Sequence, residues 1–332
     1  MATNDTNTRK SIRQKHILDL DELNQSDIEL IFENTDSMME VLNRGIRKVP
    51  ALRGKTIITL FYESSTRTRV SFEQAGKILS ADVINVSSDG SSTKKGESLY
   101  NTALTLQAMK ADAIVIRHHH SGAAYFLAQQ MESTSIINAG DGMHAHPTQS
   151  LLDLYTIKKH LGTISSKKVV IIGDLLYSRV ARSNLWGLTT MGANIVLCGP
   201  NTLLPQDFLN NRLHEANHPF RNIQIEENID TALEDADVVM ALRLQSERQE
   251  AGHLPSLREY SRRFGITSER LKIAKPDAII MHPGPMNEGV EIESDVAHGP
   301  QSVIESQVTT GVAIRMAILY DLITGNHSEK EL

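Results

Sequence analysis

The chain has 332 residues, 40% hydrophobic and 22% charged, which suits a globular protein with a sizeable core and enough chain for two domains. Its net charge of −6 argues against a nucleic-acid or membrane-surface partner, and its one cysteine, Cys198, excludes an internal disulfide and any Cys-based metal site. No apolar run approaches the ~20 residues of a membrane-spanning helix, and the polar N-terminus has no signal core, so a reducing cytoplasm is the expected location.

The first predicted element is a helix from about Ser26 to Asn43, with Ser26 and Glu29 as a capping box and Gly45 as the stop. Four short β-branched runs follow at Thr56–Tyr62, Val83–Val86, Ala113–Arg117 and Ser135–Asn138, separated by helical patterns such as Ser98–Lys110 and Ala123–Gln130. A second series of five runs starts at Lys167, again with helices between. Strand–helix alternation of this kind predicts an α/β protein with two doubly wound parallel sheets. The break between domains is expected in the helical stretch Ser150–Gly162, and a long helical pattern, Ser302–Ile323, is expected to return to the first domain. The expected division is 1–155 plus 300–332 against 156–299.

The chemistry-bearing stretches fall at the ends of these runs. S-S-T-R-T-R (64–69) crowds hydroxyls and guanidinium groups between a strand and a helix, which points to a multiply charged anion; the alternative is a solvated helix cap. D-G-S-S-T-K-K-G-E (89–97) is a polar loop exposing Lys95 and lacks P-loop spacing. Arg117 ends a strand ahead of three histidines, His118–His120, whose alternation along an extended chain argues against a metal. H-P-T-Q starts a helix at Pro147 and puts His146 and Gln149 on one face, suited to a carbonyl oxygen and an amide; a well-bonded loop histidine is the alternative. G-D-L-L-Y-S-R lacks the glycines of a dinucleotide site, leaving Arg179 for a second anion. Arg243 and Gln245 share a face at another strand end, where an arginine fork suits a carboxylate unless Glu247 pairs with it. In H-P-G-P, Pro283 and Pro285 flank Gly284 and stiffen a loop whose carbonyls suit an –NH₂ group. The acidic residues that follow read as a solvated loop rather than a magnesium site.

Taken in order, S-T-R-T-R, K-K-G-E, I-R-H, H-P-T-Q, G-D-L-x-Y-S-R, R-x-Q-x-E-R and H-P-G-P resemble the aspartate carbamoyltransferase family, with the match running from about Phe61 to Tyr320. The ornithine-specific relatives of that family characteristically carry an H-C-L-P loop and an S-M-G segment, absent here. The resemblance implies transfer of the carbamoyl group of carbamoyl phosphate to the α-amine of L-aspartate, the second step of de novo pyrimidine biosynthesis, with no cofactor or metal. It assigns the phosphate to Ser65, Thr66, Arg67 and Thr68, the carbamoyl oxygen to Thr68, Arg117 and His146, and the carbamoyl –NH₂ to Gln149 and the carbonyls near Pro283, Gly284 and Pro285. Aspartate falls to Arg179, Arg243, Gln245 and Lys95. Ser91, Ser92 and Lys95 are implied to enter from the neighbouring subunit of a homotrimer, with larger assemblies including regulatory or dihydroorotase chains left open. Another amine acceptor, or a non-catalytic relative that binds phosphorylated metabolites, are the competing readings. Two departures from the family pattern, Ala145 and Glu288, are expected to tune affinity rather than change the reaction.

Overall fold

The computed structural model describes residues 12–87, 98–209, 218–245 and 256–325. The first half runs α1 (Gln25–Leu42), β1 (Thr56–Phe61), α2 (Thr66–Ile78), β2 (Asp82–Ser87), α3 (Leu99–Ala108), β3 (Ala113–His118), α4 (Ala123–Ala128), β4 (Ser135–Asp141) and α5 (Pro147–Leu161). The second runs β5 (Lys168–Ile172), α6 (Arg179–Thr190), β6 (Asn194–Cys198), α7 (Gln206–Leu209), β7 (Gln224–Glu226), α8 (Ile229–Leu233), β8 (Val238–Ala241), α9 (Leu257–Phe264), α10 (Ser268–Leu271), β9 (Ile279–Met281), α11 (Ser294–Ala297) and α12 (Ile304–Thr324).

The strands form two parallel sheets, ordered β2-β1-β3-β4 and β7-β6-β5-β8-β9. The central strands read I-I-T-L-F, A-I-V-I and V-V-I-I because helices cover both faces, so neither face has to be polar; every residue of β3 is buried. In each sheet the order reverses beside its first strand, between β1 and β3 and between β5 and β8. Such switch points open a crevice at the carboxyl ends of the strands.

The C-terminal helix does return: α12 packs against α1, α2 and α5. The helical stretch in which the break between halves is expected is α5, a continuous helix that also packs on α6. One apolar cluster therefore joins both halves, and it includes Leu151, Leu154 and Ile157 of α5, Ile171 and Leu188 of the second half, and Ile314 and Ile318 of α12. The first helix starts earlier than expected. Its cap is Asn24, whose side chain accepts from Asp27 N at 3.0 Å while Asp27 accepts from Asn24 N at 3.3 Å, so the capping box is Asn24–Asp27 rather than Ser26–Glu29.

Candidate active site

A cleft of about 680 Å³ lies at the carboxyl ends of both sheets. Ser65–Thr68 enter it from the β1–α2 junction, Arg117 from the end of β3, and His146 and Gln149 from the start of α5. From the second sheet come Arg179 at the start of α6, Arg243 and Gln245 after β8, and Pro283, Gly284 and Pro285 after β9. Every expected site residue among the described ones reaches this cleft. Ser91, Ser92 and Lys95, like Glu247, lie outside the described residues.

Ser65 stands at the N-cap of α2 in extended conformation but makes no side-chain cap bond, and the first turn carries no acidic residue. Its N–H groups and the positive end of the helix dipole are thus directed at the cleft, where an anion is favoured. Among the described residues, Arg67, Arg117, Arg179, Arg243 and Arg315 line the same space, against only Glu63 and Glu305 among carboxylates. The acidic chain therefore concentrates positive charge at one place.

Glu63 and Arg315 lie outside the sequence motifs. Glu63 follows β1 and bridges the two sheets: its Oε1 accepts from Arg117 Nη2 at 2.7 Å and from Arg179 Nη2 at 2.7 Å, and its Oε2 accepts from Arg179 Nη1 at 3.0 Å. Arg117 also donates to the Ala139 carbonyl and Arg179 to that of Gly142, which fixes both forks. Gly140 makes this possible: its φ is +116°, and a Cβ there would lie 2.9 Å from Arg179 Cζ and 3.0 Å from Arg117 Nη1. Arg315 comes from α12, buried with its guanidinium 5.1 Å from the Phe72 ring centroid, and burial pulls its pKa down to about 10. The signal for it was an arginine inside the apolar run G-V-A-I-R-M-A-I-L.

His146 is buried, and desolvation together with Arg117, Arg179 and Arg315 holds its pKa well below the usual imidazole value. It is a neutral imidazole at physiological pH, able to donate to an oxygen without adding charge. Its backbone N–H donates to Ser183 Oγ at 2.9 Å, and Ser183 donates in turn to Asp19 Oδ1 at 2.5 Å. On the far side, Gly284 N donates to His282 Nδ1 at 2.8 Å, folding the loop over the cleft.

Two expectations change. His118–His120 do not alternate, because β3 ends at His118; the His118 and His119 rings stack with centroids 4.3 Å apart, and burial followed by the neighbouring imidazoles pushes the His118 pKa down to about 4. Glu288, expected to tune affinity, is not among the residues that line the cleft. It is exposed, and hydrogen bonds with Ser294 and with His298, 3.2 Å away, hold its carboxyl below the usual range.

The fold and the cleft together define a two-sheet α/β protein with an arginine-lined cleft at the carboxyl ends of its strands. The family model for the aspartate/ornithine carbamoyltransferase carbamoyl-P binding domain matches residues 15–159, and the model for the Asp/Orn binding domain matches residues 165–322. An aspartate carbamoyltransferase catalytic subunit from Roseiflexus sp. (strain RS-1) is 58% identical over 311 residues, 93% of this chain and 95% of that subunit. Aspartate transcarbamoylase from Trypanosoma cruzi, solved with carbamoyl phosphate and aspartate, superposes with a TM-score of 0.83 at 31% identity, covering 93% of this chain and 97% of that one. Ornithine carbamoyltransferase from Pyrococcus furiosus gives a TM-score of 0.83 at 29% identity, covering 96% and 99%. The chain belongs to the aspartate/ornithine carbamoyltransferase family.

Proposed function

We propose that the chain transfers the carbamoyl group of carbamoyl phosphate to the α-amine of L-aspartate, releasing phosphate and N-carbamoyl-L-aspartate. The observation that carries this reading is the convergence on one cleft of an uncapped helix N-terminus, a neutral buried histidine and arginines from two sheets. The phosphate binds at Ser65, Thr66, Arg67 and Thr68, where the α2 N–H groups and the Arg67 fork offset its charge. The carbamoyl oxygen points at Thr68, Arg117 and His146. As the amine adds, that oxygen gains charge, and donors already in place stabilise it without reorganisation. Gln149 and the loop carbonyls near Pro283, Gly284 and Pro285 hold the –NH₂.

Aspartate docks at Arg179, Arg243 and Gln245, with Lys95 completing the site. Two guanidinium groups suit its carboxylates and would repel the ammonium of ornithine. The amine attacks the carbonyl carbon directly, giving a tetrahedral intermediate that collapses as the C–O bond to phosphate breaks; the departing phosphate takes the amine proton. Orientation and fixed charge supply most of the acceleration.

The phosphate-binding unit comprises residues 1–155 with 300–332, supported by the packing of α12 on α1, α2 and α5, and the aspartate-binding unit comprises 156–299. The chain acts as a cytoplasmic homotrimer whose neighbour lends Ser91, Ser92 and Lys95. Ile84 on the edge strand β2 and Val70 on α2, both about half exposed, offer that contact apolar surface. No helix among the described residues is long and apolar enough to cross a membrane.

Initial rates with carbamoyl phosphate and a panel of amines test the assignment. Aspartate is the expected acceptor; a higher kcat/KM for ornithine or an acetylated amino acid would replace it.

A further inference from the structure

Beneath the cleft lies a carboxylate that none of the site motifs included. Asp153 sits one turn past Gln149 on α5 and is wholly buried. Its Oδ1 accepts from Gln149 Nε2 at 2.9 Å and from Gln307 Nε2 at 2.7 Å, and its Oδ2 accepts from Asn184 Nδ2 at 2.9 Å. The donors come from α5, α12 and α6. Gln307 in turn accepts the His282 N–H at 3.0 Å through its Oε1, directly before the Pro283–Pro285 loop.

An ionised carboxylate only accepts hydrogen bonds, so each glutamine must turn its nitrogen toward Asp153. The amide oxygen of Gln149 is then the group left for the cleft that Gln149 lines. We propose that Asp153 is a positioning residue that fixes the Gln149 amide with its oxygen toward the substrate, making Gln149 an acceptor for the carbamoyl –NH₂. A flipped amide would set N–H against N–H. Arg315 offsets the buried charge electrostatically, and although burial raises the Asp153 pKa to about 6, the group is ionised at neutral pH. This inference rests on the carbamoyl phosphate reading and sharpens it.

Acetyl phosphate, which carries a methyl group in place of the –NH₂, separates the positioning role from a merely structural one. Asp153→Asn places an amide N–H against at least one of the three donors. It should raise the KM for carbamoyl phosphate by about tenfold or more, leave the KM for aspartate within about twofold, and leave competitive inhibition by acetyl phosphate nearly unchanged. In a Gln149→Ala background the same substitution should add little. Equal losses for carbamoyl and acetyl phosphate, or additive losses in the double variant, would overturn the role. If Asp153→Asn does not fold, Asp153→Ser removes the acceptor with less opposition to Gln149, and the same comparison applies. Failure of the underlying reading looks different: the unaltered enzyme would not turn over carbamoyl phosphate.

Discussion

At the scale of single residues, the site is built by burying charge and then satisfying it. Asp19 shows the cost. Burial, with a smaller push from Asp21, raises its pKa to about 6, while Ser183, the Leu20 backbone and His144 pull the other way. Its folded value thus exceeds that of an ordinary aspartate, about 3.8, so its contribution to stability is full below about pH 4 and is lost as pH rises through about 6. Asp19→Asn removes that titration and keeps an acceptor for Ser183. Measured by urea unfolding at one protein concentration, the variant should therefore gain on the parent between pH 4 and pH 7.5, by up to about 3 kcal/mol. A pH-independent difference between the two would show that Asp19 has the same pKa in the folded and unfolded chain. Asp153 titrates in the same window in both proteins and cancels from the comparison. The sequence made the cation side of the site legible, because Arg67, Arg117, Arg179 and Arg243 stand at strand ends inside polar motifs. Asp153 and Arg315 were not legible, because they sit in apolar helical runs where only the fold brings partners to them. Glu63 is no more legible, because it joins arginines that are 54 and 116 residues away.

At the scale of elements, period and punctuation gave the order of strands and helices, since fully covered parallel strands leave short apolar runs that helices separate. They gave ends less well: Asn24 rather than Ser26 caps α1 because Asp27, three residues on, can answer it. The sheet order depends on contacts between distant segments, which no local pattern encodes. The loop after β9 ties element to chemistry. Gly284 has φ +65°, and a Cβ there would lie 3.2 Å from Arg67 Nε and 3.3 Å from Arg67 Cζ. Gly284→Ala should thus strain the backbone and displace the guanidinium proposed to offset the leaving phosphate. Turnover should fall at least about tenfold, whereas global stability should fall by only about 1 kcal/mol. An unchanged kcat in this variant would separate the loop from the Arg67 side chain.

At the scale of the whole molecule, the proposed trimer makes each site the property of two chains. Lys95→Ala and Arg243→Ala should each be nearly inactive alone. Refolded together, they should form mixed trimers in which some sites take lysine from one chain and arginine from the other, so activity returns on mixing; a closed head-to-tail ring is what lets every subunit lend its loop in one direction. Trimers by native mass with only the summed parental activity would show that sites are not shared. The central claim is narrower: phosphate and aspartate occupy one continuous cleft, the first held from the β1–α2 junction and the second from the end of β8. Calorimetric titration with N-(phosphonacetyl)-L-aspartate, which joins both groups in one molecule, tests it most directly. The account predicts one molecule bound per chain, with affinity lost in both Arg67→Ala and Arg243→Ala, while inorganic phosphate is weakened by Arg67→Ala alone. Undiminished binding of the joined compound to either variant would contradict it.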